Sequence, residues 1–516
     1  MNKSTNVNLQ SERAFDTCFR SKITTASKFS SIRTVIVDLN RFTSFPTLAI
    51  GILTASLRAR GHSVQVICPI ALGIPCAVRE REETVWDDLR RRIRLTDNPA
   101  VRWFRDVSRT PREWLDQRPR PVVLREIEKA IAEGAGAILL SAYLENYHTV
   151  RAIGALAKKH GVPVILGGPM FNMASVSEAW RSLPGLAAIV GAEAERFLPE
   201  LLEAMTAGES LDRFAGVTLP DGTRTHAAPP LRRLDDNLVP DFDDFPWDRY
   251  PNRIIPVLTG RGCQWDKCTF CSDVISASGR TFRTRSVENV LVELQIQADR
   301  CGTKDFMFLD LKLNSYPGML RGISNNIQKY VRGAQWIGTV HVDLRSDNGL
   351  SRRDLFAASA AGMRRVSFGL ESGSQRLLDS MRKGCSVEAN ATFLRNAYEA
   401  GLSVRCTMFK GYPGETAADM EATADFLEAN ERYIDRIRFN DFAVLVGTPI
   451  HEELGAQGSV DGLRLSGDDV LRSRANYSRR GADRAYRRAK ARALATVYEI
   501  NRRPLGETVR QFDGLM

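Results

Sequence analysis

Residues 262–271 read Gly-Cys-Gln-Trp-Asp-Lys-Cys-Thr-Phe-Cys and place three of the chain's nine cysteines, Cys263, Cys268 and Cys271, within nine residues. A structural zinc site wants four ligands, commonly two close pairs, and neither a second C-x2-C nor a nearby histidine completes one. A single reactive cysteine needs only one of the three, and a redox pair needs only the C-x2-C. Three clustered thiols in a reducing compartment point instead to iron and sulfide. The spacing C-x4-C-x2-C also opens the plant-type ferredoxin pattern, and Cys301, separated from Cys271 by twenty-nine residues, is the fourth ligand that a 2Fe-2S centre would need. Against it, Cys301 ends an expected helix just before a strand, which puts it on the opposite face from the cysteine loop. The other arrangement is a 4Fe-4S cluster on three cysteines, with one iron open to chelate a substrate or cofactor.

The elements that must carry this loop are written in alternating apolar runs. At 516 residues the chain is too long for one core, and 43% apolar with 26% charged residues is an ordinary globular composition. No apolar run is long enough to span a bilayer and no secretory leader is present, so the expectation is a cytoplasmic protein with reduced thiols and no membrane partner. Residues 1–30 are polar and aperiodic and read as a disordered tail. From Thr34, short apolar runs (TVIVDL, HSVQVICP, AILLSAY, VPVILGGP, AAIVGAE) alternate with helical spacings, interrupted by a charged, Trp-containing helical insertion. Residues 31–210 are therefore expected to form a doubly wound, Rossmann-like parallel sheet, which binds ligands beyond the carboxyl ends of its strands. Residues 211–250, rich in Pro and Asp, read as a linker. A second alternation of about six βα units over residues 251–455 predicts a (βα)6 partial barrel of the TIM type, with the cysteines just after its first strand. Residues 456–516 are expected to be a small helical, basic segment. The net charge is +11, and the run Arg472–Arg503 carries eleven basic residues against Asp483 and Glu499. We read it as a solvated helix face with Ala485, Ala489, Ala493, Leu494 and Val497 turned inward, rather than as a nucleic-acid site.

A three-cysteine loop after the first barrel strand, with Phe270 just before the last cysteine, resembles the radical S-adenosylmethionine (SAM) superfamily. The common spacing there is C-x3-C-x2-C, one residue shorter. The resemblance implies a 4Fe-4S cluster on Cys263, Cys268 and Cys271, whose open iron binds the amino and carboxylate groups of SAM and cleaves it to a 5′-deoxyadenosyl radical. It extends to SFGLESGSQRLLDSMRKG (367–384), where Glu371 and Ser374 would approach the cofactor's polar groups, and to TMFKGYPGET (407–416), where Gly411, Pro413 and Glu415 match a motif near the adenine. Asp310 and Arg345, at the ends of the second and third strands, join the candidate cofactor residues. Each alone is an ordinary cap or turn residue. A Gly-Gly-Glu motif after the second strand is missing.

The amino-terminal domain is similar to the cobalamin-binding domain of cobalamin-dependent radical SAM enzymes. Its candidate contacts are Ser141 and Tyr143 after one strand, Gly167, Gly168 and Pro169 after the next, and Gly191, Ala192 and Glu193 after the third; tight turns explain the glycines equally well. The Asp-x-His-x-x-Gly pattern that supplies an imidazole to cobalt is absent, and His148 reads as a surface histidine. The resemblance implies methyl transfer from cobalamin to an unactivated carbon of a natural-product or peptide intermediate, with an external one-electron donor such as flavodoxin or ferredoxin. Radical cyclisation or rearrangement without methyl transfer, and a non-catalytic iron–sulfur or corrinoid-binding protein, are the alternatives. The segment after residue 456 is expected to cover the barrel mouth.

Overall fold

The computed structural model describes residues 31–40, 44–76, 81–105, 107, 119–272, 282–460, 462–479 and 482–515; the expected tail at residues 1–30 lies outside them. The first sheet contains β1 (Arg33–Asp38), β2 (Ser63–Ile67), β3 (Ala137–Ser141), β4 (Val164–Gly167) and β5 (Leu186–Val190), all parallel, with β6 (Val217–Thr218) added antiparallel on β5, in the order β2-β1-β3-β4-β5-β6. Alternate residues of these strands enter two separate cores. Ile36, Leu139 and Ile165 join one with Leu57 and Leu201, while Val35, Ile138 and Leu166 join the other with Ile127, Ile153 and Trp180. Helices therefore cover both faces, which is why the strands read as unbroken apolar runs. Strand order reverses between β1 and β3, so the crevice past Asp38 and Ser141, paired in register, is this sheet's natural ligand site.

The second sheet opens with β7 (Ile255–Val257). The cysteine loop follows, bracketed by the antiparallel pair β8 (Gly260–Arg261) and β9 (Arg283–Thr284). Then come β10 (Asp305–Phe308), β11 (Gln335–Val340), β12 (Met363–Glu371), β13 (Ser403–Lys410) and β14 (Arg436–Asp441). The order β14-β13-β12-β11-β10-β7 is all parallel, the six-strand partial barrel expected. Residues 211–250, expected as a linker, supply β6 to the first sheet, and Pro240 and Phe242 then lie between the two domains, the Pro240 carbonyl accepting from Gln297 (2.7 Å). Phe242 is 1% exposed, and a Cβ on Gly51 would lie 2.4 Å from its ring, so the helix Leu48–Ala59 needs glycine where the aromatic crosses it.

The last sixty residues are not helical throughout, in contrast to the sequence expectation. An antiparallel sheet of β15 (Ser459–Val460), β16 (Leu463–Asp469) and β17 (Arg474–Arg479) precedes the helix Arg484–Asn501. Its apolar positions, Leu463, Leu465, Ala475 and Tyr477, pack with Tyr412 and Phe442, two short alternations through Arg464 and Asn476 set among basic residues that hide this period of two. The helix is capped by Asp483 and buries Ala489, Ala493, Leu494 and Val497 as expected, but leaves Ala485 exposed. Among the described residues, no helix is long and apolar enough to cross a membrane.

Candidate functional site

The cysteine loop is clamped from three sides at Thr269, between two of its thiols. The Thr269 N–H donates to the Met381 carbonyl (3.1 Å), its hydroxyl meets the Tyr412 hydroxyl (2.7 Å), and its carbonyl accepts from Ile450 N–H (3.0 Å). Trp265 donates through its indole to the Arg382 carbonyl (2.8 Å), and Phe270 packs edge-on against Phe409 at 5.2 Å. The loop is thus fixed to the segment after β12 and to β13. All three cysteines are partly accessible. Among the described residues no three His, Cys, Asp or Glu side chains converge on a single metal ion. A multi-iron cluster spreads its thiolates wider than one ion does.

Around the loop lies a buried set of cations. Lys383 Nζ bonds Glu371 Oε1 (2.9 Å) and sits 5.8 Å from the Phe270 ring centroid; burial alone would pull its pKa down, but Glu371 and Cys268 together hold it up. Lys312 Nζ bonds Asp343 (2.5 Å), whose oxygens also accept from Arg345 Nε at 3.0 Å. Burial pushes the Cys268 thiol up, and the nearby Lys383 and Lys312 partly oppose this. His341, held on the Lys383 backbone and edge-on to Trp265 at 6.1 Å, is pushed well below its usual pKa by burial and by the same lysines. Its buried Nε2 has no hydrogen-bond partner among the described residues. A buried polar atom without a partner normally costs stability unless a ligand satisfies it. Three thiols, a cationic wall and an unsatisfied imidazole suit an anionic cluster with a carboxylate-bearing ligand.

The other barrel candidates take varied places. Glu371, at the carboxyl end of β12, adopts a left-handed backbone (φ 59°) beside the loop. Asp310 is turned to β7: its carboxylate accepts from Thr259 N–H, the Thr259 hydroxyl (2.7 Å) and Gly260 N–H (2.9 Å), and burial raises its pKa to about 6. It shapes the strand end from which the cysteines depart. Arg345 is engaged by Asp343 and by the Ser315 and Asn314 carbonyls. Ser374 caps the helix Gln375–Ser380 and donates to Asp419 (2.6 Å). Burial raises the Asp419 pKa, but Arg376, Ser374 and Thr416 outweigh it and bring the value to about 2. Gly411 (φ 83°) donates its N–H to Glu415, which also accepts from Tyr486 (2.7 Å) on the C-terminal helix.

The two sheets are joined carboxyl end to carboxyl end. After β5, Glu193 pairs with Arg283 (2.7 Å) and Arg261 (3.3 Å), and Glu195 with Arg261 (2.6 Å), so the bracket of the cysteine loop is tied to the amino-terminal domain. From the insertion after β2, Asp97 bonds Lys410 (3.0 Å) at the end of β13 and Lys490 of the C-terminal helix. The turn after β16 receives the Trp180 indole at the Leu471 carbonyl (3.1 Å). Past the strand ends, Tyr143 on one side and Leu311, Tyr316 and Leu344 on the other remain exposed, an apolar surface flanking the crevice. Gly168 and Gly191 answer to backbone crowding: a Cβ would lie 2.1 Å from the Ala142 carbonyl oxygen and 2.2 Å from that of Phe171. Gly167 pairs in register with Ser141 at the same edge. Glu193 is committed to its arginines.

Residues 257–427 match the radical SAM superfamily. Those residues form a radical SAM domain. An uncharacterized methyltransferase of Pyrococcus horikoshii is 27% identical over 336 residues, 64% of this chain and 71% of the relative. Bacteriochlorophyllide d C-12(1)-methyltransferase of Chlorobaculum tepidum is 26% identical over 351 residues, 66% of this chain and 69% of that one. Among solved structures, the radical SAM methyltransferase TsrM of Kitasatospora setae, with tryptophan and a SAM analogue bound, aligns with a TM-score of 0.65 over 90% of this chain and 89% of its own, at 17% identity. The cobalamin-dependent radical enzyme OxsB, with aqua-cobalamin and SAM bound, aligns at 0.66 over 90% of this chain and 66% of its own, at 16% identity. The likeness therefore covers both sheets and fixes the fold.

Within the radical SAM barrel, Cys301 is remote from the loop. It lies buried beside Gln297, its thiol pushed up to about 11 by burial, with Asp243 and Asp241 among the charges it feels rather than Cys263 or Cys268. This removes the structural basis for the ferredoxin arrangement. Lys312, His341, Asp343 and Lys383 were missed by sequence reasoning. Lys312 and Asp343 stand at strand ends, two residues after Asp310 and two before Arg345, a spacing that keeps side chains on one face.

Proposed function

We propose that this radical SAM enzyme is a cobalamin-dependent C-methyltransferase. The observation that carries this reading is the apposition of two ligand-binding edges: the three-cysteine loop with its cationic wall, and the β1/β3 crevice of a doubly wound sheet tied to it through Glu193, Glu195 and Asp97. The relatives named above support it, since both are methyltransferases. TsrM has been solved with cobalamin and a 4Fe-4S cluster. Cys263, Cys268 and Cys271 would hold the cluster, and the apolar surface at Tyr143, Leu311 and Leu344 would flank the corrinoid. When bound, the cluster supplies the electron that cleaves SAM and the corrinoid supplies a transferable methyl group.

The chain's own residues do the positioning. Lys383 and Glu371 hold opposite charges beside Cys268, and Tyr412 and Ile450 fix the loop. The substrate is an intermediate with an unactivated carbon, of the natural-product or peptide kind, and an external one-electron donor completes the system. Anaerobic reconstitution with iron, sulfide and hydroxocobalamin, then SAM and dithionite, tests this. Both 5′-deoxyadenosine and protein-bound corrinoid are expected, with Cys268→Ala losing the former and keeping the latter. Deoxyadenosine without retained corrinoid would remove methyl transfer by cobalt and leave radical cyclisation or rearrangement.

A further inference from the structure

The insertion between β2 and β3 contains a helix packed inside out. The helix Val85–Arg94 begins with a capping box between Thr84 and Asp87. At about 100° per residue, Val85, Trp86, Leu89 and Ile93 fall within one arc of roughly 100°. In a surface helix that arc faces the core; here it faces out, with Val85 and Trp86 each 69% exposed. The opposite, polar side is the one that packs. Arg91 is buried against Glu83 and Asp88 (2.8 Å), Asn501 bonds Glu83 (2.9 Å), and Arg94 donates to the Phe439 carbonyl (3.0 Å). These bonds fix the helix's rotation, so the apolar arc cannot roll inward without breaking them.

Exposed apolar residues continue in sequence beyond the helix. Trp103 and Phe104 are 68% and 66% exposed, with Val101 and Val107 beside them in sequence. Eight of the fourteen exposed large apolar side chains among the described residues fall in this one stretch, far more than scattered surface residues give. On the helix, Arg90 and Arg92 stand at either edge of the arc, and four arginines face two aspartates, both of which are committed to the cap or to ion pairs. Tryptophan, leucine and isoleucine in the arc with arginine along its borders, and Trp103 and Phe104 following in sequence, is the composition of a segment lying in the headgroup region of a bilayer. The chain's net charge of +11 fits an anionic surface.

We propose that residues 84–105, with Val107, form a peripheral docking surface for an anionic lipid bilayer. This goes beyond the catalytic reading and departs from the sequence expectation of no membrane partner. Through Asp97–Lys410 and Arg94–Phe439 the same insertion rests on the carboxyl ends of β13 and β14, so docking brings the barrel mouth to the lipid surface. The test is co-sedimentation of the full-length protein with vesicles of phosphatidylcholine alone or with one third phosphatidylglycerol. The wild type is expected to pellet with the anionic vesicles with its tryptophan emission shifted to the blue. Trp86→Ser/Trp103→Ser/Phe104→Ser, folded by circular dichroism, should bind at least tenfold more weakly, and Arg90→Glu/Arg92→Glu should lose the preference for anionic lipid. Wild type remaining in the supernatant, or triple-variant binding equal to wild type, overturns the proposal. A wild-type dimer that the triple variant dissociates, without vesicle binding, assigns the face to a second copy instead.

Discussion

Asp310 illustrates how one carboxyl can serve the cysteine loop without touching a ligand. Fully buried, it receives three donors from Thr259 and Gly260, and burial still raises its pKa from 3.8 to about 6. Below pH 4 both folded and unfolded chains carry this proton and nothing is lost. Between pH 4 and 6 only the folded chain retains it, so the unfolded state binds fewer protons and stability falls as pH rises. Above that window the cost is constant at about 3 kcal/mol. Asp310→Asn keeps an acceptor oxygen and has no charge to desolvate. The stability difference between variant and wild type, followed by denaturant midpoint, should grow in the variant's favour from pH 4 to 6 and then level off. A difference independent of pH would mean that Asp310 ionises as freely as an exposed carboxyl.

At the scale of elements, the cysteine loop depends on the turn after β12 as much as on its own sequence. Gly384 has φ 66°, and a Cβ there would lie 2.0 Å from the Trp265 ring, whose indole is pinned to the neighbouring Arg382 carbonyl. Gly384→Ala combines left-handed strain with displacement of Trp265. Iron and sulfide incorporated on reconstitution should fall severalfold with far-ultraviolet circular dichroism unchanged, and full incorporation would show that the loop does not need this clamp. Such a clamp is not visible in a linear reading, because Trp265 and Gly384 are distant in sequence. The strands themselves were legible: β1, β3 and β12 are buried on both faces and so appear as continuous apolar runs, and the cysteine spacing announced its own chemistry. What stayed hidden was polar. Lys312, Lys383 and Lys410 carry no mark of burial in the sequence, yet are buried against Asp343, Glu371 and Asp97, partners fixed only by tertiary packing. The sheet β15–β17 was masked by its basic residues, and the apolar arc of the helix Val85–Arg94 was legible as amphipathic but not as facing outward.

For the whole molecule, the question is what keeps two sheets of independent topology in register across a crevice. Asp97 answers most of it, because it joins the amino-terminal insertion, the barrel and the C-terminal helix at one point. Burial raises its pKa, but Lys410 and Lys490 outweigh that and hold it below the usual carboxylate range, so it stays charged at neutral pH. Lys410, with no exposed side chain, keeps a second partner in Asp441 (2.9 Å), whereas Lys490, itself pulled down by burial, is otherwise bonded to the Leu95 carbonyl. Breaking a buried charge set by removing one member costs about 3–5 kcal/mol, since the others remain desolvated. Because two domains share the chain, that loss should appear locally before it appears globally. In Asp97→Ala, amide exchange should accelerate at least tenfold across residues 84–97 and at the start of the C-terminal helix, while β1, β3 and β10 keep wild-type protection. Uniform acceleration through both sheets would instead show that the crevice is held by the folding of the whole chain, and that the Asp97 link is one contact among many.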